Sequence, residues 1–390
     1  MAVYLLATLD TKGPEAAFVQ NLLQGYGVAT RLVDVGCLGA PTTPADVSRD
    51  ELFAAGDVPL ADLQARRDRG AAIQAAAQAA AAFISREFAA GRVSGVLGLG
   101  GSAGTTIATA AMRTLPLGVP KLMVSTLASG NVRAWVGDKD ILMLNSVVDI
   151  AGINRISRAV LGEAARAMAG LATFPLPSPS SQEKPLIAAT MFGVTTPCVQ
   201  EARRVLEEAG YEVLVFHATG NGGQAMESLI DEGLIAGVLD LTTTELADEL
   251  VGGILSAGPN RLTAAGRRGI PQVISVGALD MVNFGPPETV PEKFRTRRFY
   301  QHNPAVTLMR TTVEENRQLG EIIGRQAAAS RGPTVILLPR QGVSAIDAPG
   351  QPFDDPAARE ALFTGIRATA GATPVEERPE HINDPAFARA

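Results

Sequence analysis

The sequence predicts an α/β protein of two similar doubly wound halves, and three observations carry that expectation. Short apolar runs of strand length alternate with stretches of helical length. The chain opens with a strand–helix–strand unit, whose right-handed crossover implies a parallel sheet. Past a proline- and serine-rich stretch the same succession begins again. Leu186-Ile-Ala-Ala-Thr190 answers Val3-Tyr-Leu-Leu-Ala-Thr8, and residues 201–213 answer the helix and second strand around 18–28. Gly237-Val-Leu-Asp-Leu241 then answers Gly95-Val-Leu-Gly-Leu99. Three matched elements in one order favour internal duplication over convergence, with an extra excursion at 36–63 in the first copy. Such an architecture places a ligand cleft between the halves, at the C-terminal strand edges.

Composition narrows the function classes. A chain of 390 residues is long enough for two or three domains, and few aromatics beside much Ala, Gly, Val and Leu suit an α/β enzyme-like protein. A formal net charge of -6 argues against nucleic acid as a partner. Cys37 and Cys198 stand far apart with no Cys or His at ligand spacing, which fits a reducing cytoplasm. The first ten residues lack the basic start of a signal peptide, and no apolar run is long enough for a bilayer. A soluble cytoplasmic protein without a membrane partner is expected.

Taken in order, residues 3–8 read as a strand and 10–14 as a loop, with Pro14 in the first turn of a helix over 15–24. A strand at 28–35, an alanine-rich helix at 66–90, strands at 121–125 and 141–147 and a helix at 156–169 complete the first half. The domains expected are 1–175 and 185–370, joined by a linker at 176–184 and followed by a loosely ordered, proline- and acid-rich tail at 371–390. In the second half 272–280 reads as a strand running into a loop, with Met281-Val-Asn-Phe284 beyond it. Thr312-Val-Glu-Glu315 reads as a capping box opening a helix to 329, and 333–339 as the final strand.

The stretch with most chemistry is 93–112. A strand over 93–97 runs into Gly98, Gly100, Gly101 and Gly104, and a helix follows from 105. Unpaired N–H groups and a partial positive charge at a helix start make an anion site, and glycines let a phosphate approach the backbone. Ser102, Thr105 and Thr106 add hydroxyls. The motif is neither a Walker A loop nor the dinucleotide fingerprint, because its spacing and its lack of Lys-Ser or Lys-Thr differ. The alternative is a tight turn that needs glycine only for close packing.

Further candidates lie at matched strand ends: Asp10-Thr11-Lys12, then Thr195 and Thr196, then Asp240 with Thr242, Thr243, Thr244 and Glu245. Lys12 suits a phosphate counter-charge, and Asp10, Asp240 or Glu245 suits a hydrated Mg2+. Each Thr or Asp equally suits a helix N-cap, Thr244 and Asp10 above all. Gly220-Asn-Gly-Gly223 reads as a second anion site or a plain turn. His302, beside Asn303 and upstream of Arg310, is the catalytic candidate, or else an ordinary hydrogen-bonding partner of its loop. Arg310 reads as a structural or interface charge. His217 falls at the expected cleft edge, His381 in the solvated tail, Cys198 as a small buried hydrophobe, and Trp135 in a core or subunit interface.

Asp10-Thr-Lys-Gly13, Gly98-Leu-Gly-Gly-Ser-Ala-Gly-Thr105, Asn145-Ser-Val-Val-Asp149 and Asp240-Leu-Thr-Thr-Thr-Glu245 together carry a family resemblance. Ala278-Leu-Asp-Met-Val-Asn-Phe-Gly285, His302-Asn-Pro304 and Gly342-Val-Ser-Ala-Ile-Asp347 extend it over nearly the whole chain. In these blocks the chain resembles the family of the tomato tobamovirus-resistance protein, in its N-terminal nucleotide-binding domain, and of bacterial relatives. The resemblance implies two Rossmann-like subdomains, ATP and Mg2+ as ligands, and a homodimer. Thr11, Lys12, Gly100, Gly101, Ser102, Gly104, Thr105, Thr106, Asp240, Thr242, Thr243 and Thr244 would then surround the nucleotide. The function expected is ATP/Mg2+ binding with the phosphates at 100–106, together with action on a small carboxylate or sugar acid. The alternatives are a nucleotide- or metabolite-sensing module without turnover, and a nucleotide-independent isomerase or lyase built on His302.

Overall fold

Strand β1 (Ala2–Ala7) is apolar on both faces, as a strand with helices on either side must be, and five of its six residues are buried. The computed structural model describes residues 1–66, 68–174 and 183–390. They fall into two units, 1–179 and 180–390. Of the linker expected at 176–184, only Glu183 and Lys184 lie within the described residues.

In the first unit β1 is followed by α1 (Leu9–Gly25), β2 (Thr30–Asp34), α2 (Arg49–Ala55), α3 (Leu60–Arg66) and α4 (Arg69–Ala89). Then come β3 (Val93–Gly100), α5 (Ser102–Met112), β4 (Lys121–Ser125), α6 (Arg133–Val136), β5 (Leu142–Asn145) and α7 (Arg155–Thr173). The strands form a parallel sheet in the order β2-β1-β3-β4-β5. Tyr4, Leu6, Val96 and Met123 face the α4 and α5 side, while Leu5, Leu97, Leu99 and Val124 face α1 and α7. Gly98 sets the distance between β3 and α5: a Cβ there would lie 2.5 Å from Ala108 Cβ and 2.6 Å from Met123 Sδ.

The loop expected at 10–14 is helical instead. α1 begins at Leu9, breaks at Lys12 (φ -130°, ψ 17°) and resumes with Pro14. The break lets a proline sit near the front of a helix, because the ring has no regular carbonyl four residues back to clash with. The excursion at 36–63 is a loop followed by α2 and the start of α3.

The second unit begins with β6 (Leu186–Met191), α8 (Thr196–Glu208), β7 (Glu212–His217), α9 (Asn221–Asp231), β8 (Gly237–Thr242) and α10 (Glu245–Val251). It continues with α11 (Ala264–Arg268), β9 (Gln272–Gly277), β10 (Met281–Phe284), β11 (Phe299–Asn303), β12 (Val306–Arg310) and α12 (Val313–Ala328). It closes with β13 (Thr334–Pro339), α13 (Pro356–Thr369), β14 (Val375–Arg378) and α14 (Pro385–Ala388). The parallel sheet reads β7-β6-β8-β9-β13-β14. Its first five positions repeat the order of the first unit, and β3 and β8 occupy the same place, as duplication of two Rossmann-like doubly wound units requires. In each the strand order reverses between the first and third strands, where such sheets bind ligands.

Two stretches differ from expectation. Met281-Val-Asn-Phe284, to which the sequence pattern assigns no element, is a strand and joins an antiparallel sheet in the order β10-β12-β11. The tail is not loosely ordered. β14 pairs with β13, and Ile382 and Phe387 are buried against Cys198, Val199 and Ala202 of α8. The capping box forms as expected, Thr312 Oγ1 accepting from Glu315 N–H at 3.1 Å and Glu315 Oε2 from Thr312 N–H at 2.7 Å.

Among the described residues no helix is long and apolar enough to cross a membrane. If the tail is part of the core, Phe387→Ala lowers the unfolding free energy by about 3 kcal/mol. Urea denaturation measures it, and a change below about 0.5 kcal/mol would return the tail to the periphery.

Candidate functional site

At the reversal point of the first unit, β3 ends at Gly100 and α5 starts after its N-cap, Gly101. Gly100 has φ +157°, and a Cβ there would lie 3.0 Å from Gly104 Cα; one on Gly104 would lie 3.0 Å from Leu99 O. These two glycines let the helix turn back tightly on its own strand, which is the packing role. Gly101 differs. Its φ is -81°, and a Cβ would meet only Thr126 Oγ1, at 3.6 Å. No side chain caps α5, so its first-turn N–H groups face outward without an internal acceptor from a cap.

The hydroxyls expected to serve a ligand divide. Ser102 is exposed on the first turn. Thr105 is buried and engaged, its Oγ1 donating to Gly101 O at 2.8 Å and lying 2.7 Å from Ser125 Oγ. Thr105 therefore shapes the turn. Thr106 Oγ1 donates to Ser102 O at 2.9 Å and accepts from Trp135 Nε1 at 3.2 Å. Trp135 is thus half-buried beside the start of α5 and not within a core.

The turn from β1 into α1 supplies the other side of the reversal point. Asp10 Oδ2 accepts from Gly39 N–H at 3.0 Å, while its Oδ1 has only a 3.4 Å contact with Thr11 Oγ1. Thr11 Oγ1 lies 2.9 Å from Thr8 Oγ1. Lys12, half-buried at the kink, has no ion pair among the described residues. The excursion straps this turn down. Asp34 Oδ1 accepts from Leu9 N–H and Gly36 N–H, and its Oδ2 from Arg49 Nε at 2.8 Å. Gly13 is glycine because a Cβ would lie 2.2 Å from Thr42 Oγ1.

The corresponding position of the second unit is filled by the protein itself. Arg261, fully buried, holds Asp240 through both guanidinium ends at 2.5 and 2.7 Å, and Glu245 Oε2 through Nε at 2.7 Å. Glu227 stands 3.3 Å from the same guanidinium and accepts N–H groups of Leu262, Thr263 and Ala264. Burial pushes the Glu227 carboxyl up, while the three acids hold the Arg261 pKa well above its ordinary value against the opposing effect of burial. Glu245 Oε1 accepts from Gly220 N–H at 2.7 Å and Gly223 N–H at 3.1 Å. The glycine turn at 220–223 is therefore an anion site whose anion is an internal carboxylate. Asp240 and Glu245 are correspondingly ion-pair partners of Arg261. Among the described residues no group of three or more His, Cys, Asp or Glu is arranged to hold a metal.

The threonines of this strand end are also internal. Thr242 Oγ1 lies 2.7 Å from Thr195 Oγ1, and Thr243 Oγ1 donates to Ser275 O at 3.1 Å. Thr244 is buried with its hydroxyl unpartnered, so it does not cap α10. Of the four residues expected beside a nucleotide, Asp240, Thr242 and Thr243 are engaged inside the unit and the Thr244 hydroxyl is buried.

His302 is exposed on β11. Arg310, by contrast, is buried; its Nε donates to Phe353 O at 2.8 Å and its Nη2 lies 3.2 Å from Asp347 Oδ1. Sequence reasoning passed over the partners of this cluster. Asp280 accepts from Ser344 Oγ at 2.8 Å, and burial followed by the nearby Asp347 charge pushes its carboxyl up to about 7. His381 is not solvated: its Nε2 lies 2.9 Å from Ser344 O and its Nδ1 accepts from Asn383 N–H at 3.1 Å. His217 is exposed, its ring 5.5 Å from that of Phe192. Cys198 is the small buried hydrophobe expected, its thiol pushed up to about 12 by burial.

Removing the Arg261 charge strands two buried carboxylates. Arg261→Met is expected to lower stability by about 3–5 kcal/mol in urea denaturation. A loss under about 1 kcal/mol would mean the acids find other partners.

Comparison with known proteins accords with this architecture. The N-terminal domain model of an uncharacterised protein family, UPF0261, matches residues 1–177, and its C-terminal domain model matches residues 184–390. A UPF0261 protein of Clostridium tetani is 50% identical over all of this chain and 96% of its own length. One of Mesorhizobium japonicum is 48% identical over all of this chain and 97% of its own. The tomato ToMV susceptible protein tm-1(GCR26) is 40% identical, with all of this chain matching 54% of that protein. The chain belongs to the uncharacterised protein family UPF0261.

Proposed function

We propose that the first unit binds a nucleotide through its phosphates, ATP being the ligand that the resemblance implies, at the reversal point between β1 and β3. The observation that carries the reading is the difference between the two glycine turns. The turn at 220–223 already holds the Glu245 carboxylate, whereas α5 has no side-chain cap and an open Gly101. A helix start of this kind accepts an anion from outside the fold. Lys12, without an ion pair among the described residues, supplies positive charge, and Ser102 and Thr11 supply hydroxyls. Trp135, fixed by its bond to Thr106, offers a ring beside the same helix turn.

The fit to Mg2+ is narrower than expected. Of the three acids, Asp10 alone keeps a carboxylate oxygen with little internal demand on it. Mg2+ bound through phosphates commonly keeps several waters and takes one or two carboxylates, so Asp10 suffices as a protein ligand. The reading is of binding; turnover on a small acid is not required by it.

Calorimetry with ATP and Mg2+ tests the assignment. Gly101→Val should abolish measurable binding while the melting temperature stays near that of the parent, because the site tolerates a Cβ but a branched side chain covers the N–H groups. Lys12→Ala should weaken binding about tenfold, the scale of one charged hydrogen bond. Parental affinity in a folded Gly101→Val variant would refute the site.

A further inference from the structure

Neighbouring strands β9 and β13 of the second unit run into a turn, 278–280, and a loop, 340–347, that are bound to each other. Ala278 N–H donates to Val343 O at 2.9 Å, and Ser344 Oγ donates to Asp280 Oδ2 at 2.8 Å. Ala278 has φ +56°, which is strained for a residue with a side chain and persists only where its surroundings hold it. The tail is tied to the same loop, His381 Nε2 lying 2.9 Å from Ser344 O.

Asp280 is poorly provided for as a carboxylate. It is fully buried, its Oδ1 has no hydrogen-bond partner, and its Oδ2 has the one hydroxyl. A charged carboxyl in a dry interior needs a cation or several donors, and otherwise takes up a proton. The charged groups packed around it are committed elsewhere. From β12, Arg310 gives Nε to Phe353 O, Nη1 to Thr311 Oγ1 and Nη2 to Asp347 Oδ1. From α13, Arg359 pairs with Asp347 Oδ2 at 2.9 Å and with Asp354 at 3.4 Å. Asp347 is thus the anion between two guanidiniums, and it faces Asp280 as a like charge. From α12, Asn316 donates to Thr311 Oγ1, and His381 of the tail meets Ser344 O; neither bonds to Asp280.

We propose that Asp280 is a proton-operated latch between the 278–280 turn and the 342–347 loop. Uncharged, it lets the loop seat on the turn. Charged, it repels Asp347 and draws in water, so the loop and its contact with His381 come free. The sign of the pH dependence follows from burial and the Asp347 charge, which push the folded carboxyl up to about 7. An unfolded aspartate titrates near about 4, so between these values the folded chain holds one more proton. Stability is greatest at the acid end of this window, is lost as pH rises through it, and levels off above.

Urea denaturation of the full chain and of Asp280→Asn, which has the shape of the neutral acid, tests this. From about pH 5 to about pH 7 the unfolding constant of the parent should rise at least about tenfold relative to that of the variant. Asp248, whose carboxyl burial also pushes up to about 7, is common to both proteins and cancels. Hydrogen exchange, corrected for the intrinsic rate, should show amides 343–347 of the parent less protected at about pH 9 than at about pH 6. In Asp280→Asn their protection should be equal at both. Carbon NMR of aspartate-labelled protein should show a carboxyl resonance that titrates near neutral pH and is absent from Asp280→Asn. Should that variant not fold, Ser344→Ala identifies the resonance by shifting it. A parent-to-variant ratio that does not change with pH would overturn the latch. So would an Asp280 resonance titrating below about pH 5, or protection of 343–347 in the parent that ignores pH.

Discussion

The Arg261 guanidinium is the interaction on which the second unit depends. One side chain ties the end of β8 through Asp240, the start of α10 through Glu245 and the body of α9 through Glu227. Three acids against one base would be untenable in a dry interior if they had only each other. They do not: backbone N–H groups of Gly220, Gly223, Leu262, Thr263 and Ala264 and the Thr190 hydroxyl share the negative charge. Replacing all four side chains together by hydrophobic ones of the same volume would not be weaker on energetic grounds alone, whereas losing the arginine alone strands the acids. What the network adds is direction, since it holds three element ends in one relative geometry.

Seen beside the first unit, this network explains how two copies of one strand order have come apart in chemistry. The second unit answers the positive start of α9 with its own Glu245. The first leaves α5 with a glycine cap and closes the neighbouring β1–α1 turn with Asp34 and Arg49 instead. In the second half the helix start is closed by an internal carboxylate, while in the first Gly101 is half-buried and Ser102 exposed.

Strands were legible because apolar runs such as 3–8 and 333–339 can be little else, and the Thr312–Glu315 box because its chemistry is local. The glycine turn at 100–104 was legible as a turn, though not in its division of labour: only the positions of Leu99 O and the Gly104 backbone separate packing glycines from an open one. Asp240 and Glu245 looked like metal ligands because their partner lies 21 and 16 residues further on, and no periodicity connects a carboxylate to a distant arginine. The tail misled for a related reason. Val375-Glu-Glu-Arg378 is charged because β14 is an edge strand, where charge guards against further pairing. Its anchors, Ile382 and Phe387, are too sparse to form a pattern. β10 is four residues long and bounded by Gly285 and two prolines, so antiparallel partners, not propensity, decide its state.

The seating of α14 on α8 also orders events in time. Ile382 and Phe387 cover apolar residues of β6, β7 and α8, the earliest elements of the unit, and Arg389 pairs with Glu201. During synthesis that surface of β6 and α8 waits, uncovered, while nearly the whole unit is made. Contacts between such distant segments form slowly, and apolar surface left open meanwhile invites association with other chains. The second unit therefore completes its native core only once residues 382–389 have left the ribosome.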